Sequence, residues 1–263
     1  MNKPLKLRLK NEFTEFRLLL AAVPTIVTVI FIISVVAMNL LANKSINLPI
    51  GWLALDCGII VSWFAFLTMD MVTKHFGPKA ANELTVLAIT VNLALCLLFF
   101  IASVIPGTWG ESYVTGSEDI INGALNSTFG GTWYVLLGST VAFAASAVIN
   151  NFINFGIGKA IKNKDGLPAY ILRAYVSTAV AQFADNMIFA LIVSHFFFGW
   201  SILQCVTCAV TGMLVELILE AAFTPLGYRI SNGWKKNNVG EKYFEFRSRG
   251  EEIYEPQTTE EQI

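Results

Sequence analysis

Seven ionisable residues stand within long apolar runs or at their ends: Asp56 and Asp70, then Arg173, Asp185 and His195, then Glu216 and Glu220. Amides join them at Asn39, Asn92, Asn150, Asn151, Asn154, Gln182, Asn186 and Gln204. Polar groups surrounded by hydrocarbon are costly. They face a protein interior or a water-filled path, where they bind a solute or an ion or pair with one another. Their spacing here is helical: Ser146, Asn150 and Asn154 form one stripe, and Gln182, Asp185 and Asn186 share a face. Ser146, Asn151, Phe152 and Asn154 are echoed by Ser177, Gln182, Phe183 and Asp185, so both faces are expected to point inward around one cavity. Counted from the turn at Gly199–Ser201, Asp185 and Glu216 reach similar depth on adjacent helices, at about 1.5 Å per residue. Two carboxylates at one level repel unless one takes a proton or a cation or donor lies between them. The candidate binding set is therefore Asp185, Gln182, Asn186, Asn151, Asn154, Asn150, Glu216, Asp70 and Asn39. Structural roles compete with this reading. Amides glue helices together, Asp70 has Lys74 four residues on, and Arg173 is placed to pair with Glu220.

Other chemistry finds no support. Cys205 and Cys208 form a lone CxxC with no second pair or nearby histidine, so they read as small residues on one helix face. No nucleophile sits with a base or a metal cluster, so an intramembrane enzyme is disfavoured and no cofactor is expected.

The elements that must carry these residues are membrane helices. The chain of 263 residues is 55% hydrophobic and 14% charged, against about a quarter charged in soluble domains, with mean hydropathy +0.59. Its charges gather at the ends and in short clusters between runs near the ~20 residues a crossing requires. The fold expected is an all-α integral membrane protein with six transmembrane helices over Leu18–Ala42, Ile50–Met69, Leu84–Ile105, Trp133–Gly158, Leu167–Phe198 and Ile202–Phe223. The fifth run exceeds one straight crossing and should tilt or emerge. The first is too long for a signal peptide and reads as a membrane span. With these spans, seventeen of the eighteen Lys and Arg fall on one side and only Lys44 on the other. Both termini are then cytoplasmic, and the protein belongs in the cytoplasmic (inner) membrane.

Three regions follow: a basic tail over 1–17, a transmembrane domain over 18–230, and a disordered, glutamate-rich tail over 231–263. The outer loop 106–132 reads as either a lid or a passive connector, with a short helix over Ser117–Phe129. The partners expected are a small-molecule substrate and the lipid bilayer. The net charge of −1 and dispersed basic residues give no support for nucleic acid, and a homo-oligomer stays open.

Several segments resemble the queuosine precursor transporters, also grouped as the VUT or vitamin-uptake family. Asn39–Leu40–Leu41–Ala42–Asn43–Lys44 is similar to the end of that family's first span. Asp70, Thr73, Phe76, Gly77 and Ala80 resemble its Asp…Glu-x-Tyr-Gly segment. Gln182 and Asp185 resemble its Ser-Gln-x-x-Asp motif, and Thr224–Pro225 with Tyr228 its Thr-Pro-x-x-Tyr. Lys74 and Phe76 depart from that pattern, Asn151 and Asn154 replace a second Gln-x-x-Asp, and Glu216 and Glu220 fall where a lysine is expected. The resemblance implies import of deazaguanine bases. A guanine-like edge offers N–H donors that a carboxylate accepts, while amides complement its carbonyl. The alternatives are a transporter of another small heterocycle or the substrate-capture subunit of an energy-coupling vitamin transporter. The latter would need partner ATPases, since the chain lacks G-x-x-x-x-G-K-[ST].

Overall fold

The computed structural model describes residues 5–46, 48–109, 116, 118–160 and 167–252, and they are almost entirely helical. In chain order the elements are α1 (Leu5–Ala22), α2 (Thr25–Leu41), β1 (Ser45–Ile46), β2 (Leu55–Asp56), α3 (Ile59–Phe76), α4 (Pro78–Val104), α5 (Glu118–Ala160) and α6 (Leu167–Phe189). A π-helical turn (Ala190–His195) and α7 (Phe196–Phe198) prolong α6, and α8 (Ile202–Lys236) and α9 (Glu241–Glu252) complete the chain. Among the described residues, Pro78–Val104, Thr178–Phe198 and Ile202–Leu219 are long and apolar enough to cross a bilayer; Leu9–Ala22 with Thr25–Leu41 makes a fourth if that bent pair is one span.

The first apolar run is not one straight helix. Pro24 has no N–H to continue the ladder and takes an extended conformation (ψ 126°), and α1 leaves α2 at 103°. The basic N-terminal segment is thus helical from Leu5 onward. The second run starts late. Residues 50–58 are turn and ribbon, with Ser45 opposite Asp56 and Ile46 opposite Leu55, and α3 begins only at Ile59. The short helix expected within the outer loop is not separate: from Glu118 it is continuous with α5, a rod of 43 residues. Trp109 caps its early turns from the loop, donating from its backbone N to Asn122 Oδ1 (2.8 Å) and from Nε1 to Asn126 Oδ1 (2.8 Å).

The fifth run does not stay α-helical to its end: at Ala190 α6 gives way to the π-helical turn, which widens the helix just before it ends. Gly199, at φ 72°, then reverses the chain, and Ser201 opens α8 with a capping box. Gln204 supplies the second half of that box, so it caps a helix end instead of joining a polar face within the bundle.

The C-terminal segment is not disordered where it is described. Residues 231–236 are the last turns of α8, and α9 folds back onto α1. Tyr243 is fully buried against Phe76, which stacks on Phe244 and packs against Trp234. Leu19 of α1 and Val23, just beyond its end, join that cluster. Burial of these rings offsets the backbone entropy that a polar 12-residue helix cannot offset alone.

The outward surfaces of the long helices are apolar: Ile26, Ile30 and Ile33 on α2, Leu93, Leu97 and Leu98 on α4, and Ile202, Leu214 and Ile218 on α8 are all exposed. With small and polar residues turned inward, this is the arrangement of a bundle solvated by lipid.

Candidate functional site

A cavity of about 80 Å³ that several polar side chains line lies between the β ribbon, the last turns of α6 and the first half of α8. Its acidic wall is Asp56, Asp185 and Glu216; its amides are Asn39 and Asn186, and Ser62, Ser139 and Cys208 also line it. Among the described residues, no lysine or arginine shares this lining.

Local structure explains how each group arrives. Asp56 ends β2, and its Oδ1 accepts from the Gly58 N–H (2.7 Å) in a turn that starts α3. A Cβ at Gly58 would stand 2.7 Å from the Met38 carbonyl oxygen, so glycine is required for α3 to begin this close to α2. Asn39, 3% exposed, anchors itself by donating from Nδ2 to Val35 O (2.9 Å). Asp185, on α6, accepts at Oδ1 from Ser146 Oγ of α5 (3.0 Å). Glu216, 7% exposed on α8, accepts from Ser62 Oγ (3.3 Å) and Asn186 Nδ2 (3.1 Å). Asn186 Nδ2 also donates to Gln182 O (3.0 Å). Both partners are acceptors, which settles which end of the amide carries hydrogen and leaves Oδ1 as its remaining polar atom. The close approach of α6 and α8 depends on Gly212, where a Cβ would come within 3.1 Å of the Asn186 side chain.

A second cavity, also about 80 Å³ and almost wholly apolar, adjoins the first. Phe31, Val35, Met69, Ile89, Leu136 and Phe143 line it, and it shares Met38, Ser139 and Asp185 with the polar cavity. Asp185 therefore stands at the boundary between an acidic chamber and a greasy one.

Of the residues singled out in the sequence, Asp185, Asn186, Glu216 and Asn39 line this cavity. Gln182 is buried (5% exposed) and reaches the site through its backbone oxygen. The side chains of Asp70, Asn150, Asn151, Asn154, Arg173 and Glu220 lie outside the described residues, though their backbones are helical. The cavity draws chiefly on α2, α3, α6 and α8, with Ser139 from α5, and is more than the α5–α6 seam expected. Lys74, four residues after Asp70, places its ammonium over the Tyr228 ring, 3.2 Å from the centroid.

The candidate set omitted Asp56, Ser62, Ser139, Cys208 and Gly212. Asp56 was visible as a charge in an apolar run, but the ribbon that turns it inward is a non-local pairing. Gly212 carried a weak signal, a glycine within an apolar helix, which often marks a close helix contact.

A lipid-facing exterior around buried carboxylates and amides defines a multi-pass helical membrane protein with an internal polar site. Residues 56–230 match the family model described as "Putative vitamin uptake transporter", and the chain belongs to that family. No curated protein and no solved structure matches it.

Proposed function

We propose that the chain imports a queuosine precursor, a deazaguanine base, across the cytoplasmic membrane, acting as a transporter and not as an enzyme. The observation that carries this reading is the position of Asp185 between an acidic cavity and an apolar one. A flat heterocycle has both halves: an edge of N–H donors for Asp185, Glu216 and Asp56, and a ring face for Phe31, Val35 and Phe143. Asn39 and Asn186 add amide oxygens to the polar side, and Asn151, Asn154, Asn150, Gln182 and Asp70 complete the binding face in this proposal. A base bearing an aminomethyl cation would balance carboxylates that cannot all be charged in a site removed from water.

In the same proposal the membrane is crossed six times, by α2, α3, α4, α5, α6 with its π-helical turn, and α8. The basic residues then lie almost entirely on the side of both termini, which supports a cytoplasmic location for each.

The test is restoration of queuosine in the tRNA of a precursor-starved strain lacking its own transporter, with this chain expressed alone. Restoration with wild type and none with an empty vector is the expected result. Restoration only with co-expressed ATPases and a membrane partner would assign the chain to substrate capture. Membrane-inserted protein with no uptake of deazaguanines under either condition would reject the substrate.

A further inference from the structure

We infer that α1 is a docking surface for the anionic phospholipids of the leaflet in which α2 ends, with Lys10 and Arg17 as the headgroup-binding residues. This goes beyond the transport reading and requires only that α2 crosses the bilayer.

The 103° bend between α1 and α2 swings α1 off the axis of α2, so that it runs along the membrane surface when α2 stands in lipid. Its two faces differ sharply. One face is committed to the protein: Leu19 and Val23 are buried in the cluster with Phe76 and Tyr243. On the same side Glu15 meets Lys79 Nζ (2.7 Å) and Arg247 Nε (3.6 Å), and Glu12 meets Lys79 Nζ (3.0 Å). The opposite face is open. Leu9 and Phe13 are 61% and 63% exposed and one turn apart, and Lys10 and Arg17 are exposed beside them, seven residues from each other. Both glutamates of α1 pair with Lys79, which also meets Glu83 (3.7 Å); Glu12 borders the stripe beside Leu9, and the charges on the described part of the open face itself are those of Lys10 and Arg17.

An apolar stripe bordered by basic residues is the pattern of a helix lying in the membrane interface, its apolar side chains in the acyl boundary and its cations at the phosphates. Phe13 and Leu9 are exposed apolar side chains, as Ile26, Ile30 and Ile33 are on α2. Charge complementarity selects anionic headgroups over zwitterionic ones, and contacts to α4 and α9 hold the helix in place before lipid arrives.

The test uses the full chain in nanodiscs, both faces of which are open to reagent. Discs of phosphatidylcholine are compared with discs containing about one third phosphatidylglycerol. An uncharged acylating reagent modifies the lysines, and mass spectrometry follows Lys10, with Lys44, exposed at the other end of α2, as internal reference. Phosphatidylglycerol should slow Lys10 about fivefold more than Lys44. Salt at about 1 M should erase the difference, and Arg17→Gln should weaken it. Equal slowing of Lys10 and Lys44 overturns the inference. So does equal protection by inorganic phosphate in phosphatidylcholine discs, which would mark a soluble-anion site. Neither outcome depends on uptake, so failure here is distinct from failure of the transport reading.

Discussion

Asn186 gives both hydrogens of its amide to other residues, one to Gln182 O and one to Glu216 Oε2. It is therefore placed to orient Glu216 and to present only an oxygen to a ligand. Gly212 makes this possible by its lack of a Cβ. Gly212→Val should push the amide aside and lower uptake by about tenfold, with the protein still inserted. Normal uptake by that variant would show that the close α6–α8 contact is dispensable. Asp185→Asn is the sharper change, since it keeps the shape and an oxygen that can still receive Ser146 Oγ, but removes the charge and replaces the second carboxylate oxygen, the acceptor offered to the substrate in the proposal, with an N–H donor. A loss of about a hundredfold in kcat/KM is expected from a charged hydrogen-bond partner in a dry site. Transport at the wild-type rate would place the binding centre elsewhere.

At the scale of elements, α9 draws its order from its partners. Tyr243 is 0% exposed, and its ring packs on Phe76 while Arg247 lies 5.8 Å from the ring centroid. Tyr243→Ala should cost about 3 kcal/mol of docking and free α9 for tryptic cleavage at Lys242 and Arg247. Cleavage no faster than in wild type would mean that other contacts hold the helix. Burial pushes the Tyr243 phenol up from 10.0, with Arg247 pulling against that shift. A folded-state value raised above the unfolded one favours the protonated ring. Its contribution is therefore full below pH 10 and lost as pH rises through the folded value. Tyr243→Phe should leave α9 docked and make its protease resistance less sensitive to pH above that point. An unchanged alkaline profile would assign the sensitivity to another group.

For the whole molecule, the proposed topology is open to a direct reading. A cysteine at position 117 in a variant lacking the four native cysteines should react with an impermeant thiol reagent applied to intact cells whose outer membrane is permeable. Reaction only after the inner membrane is broken would invert the arrangement. The length of α5 bears on this. Forty-three residues span about 64 Å, roughly twice a bilayer core, so the helix must emerge from the membrane on at least one side. The contacts of Trp109 with Asn122 and Asn126 brace its first turns against the preceding loop.

What the chain makes legible by itself is its periodicity and its exceptions. A long apolar run in lipid must bond its own backbone, so it becomes a helix whatever its neighbours do. The runs within Pro78–Val104 and Ile202–Leu219 were therefore readable from composition alone. Counting residues from the Gly199 turn was enough to bring Asp185 and Glu216 to the same cavity, because helical rise is a local constant. Tertiary structure decided the rest. Asp56 reaches the cavity only because Ser45–Ile46 pairs with Leu55–Asp56, a contact across a loop that no local pattern announces. The break at Pro24 sits in a continuous apolar run, where hydropathy is blind to direction. Tyr243 lies in a segment too polar to read as packed. It is buried because Phe76, Trp234 and Leu19, far apart in the chain, leave a site that an aromatic ring fills. Burial of this kind is a property of several distant segments at once, and it exists only after they have met.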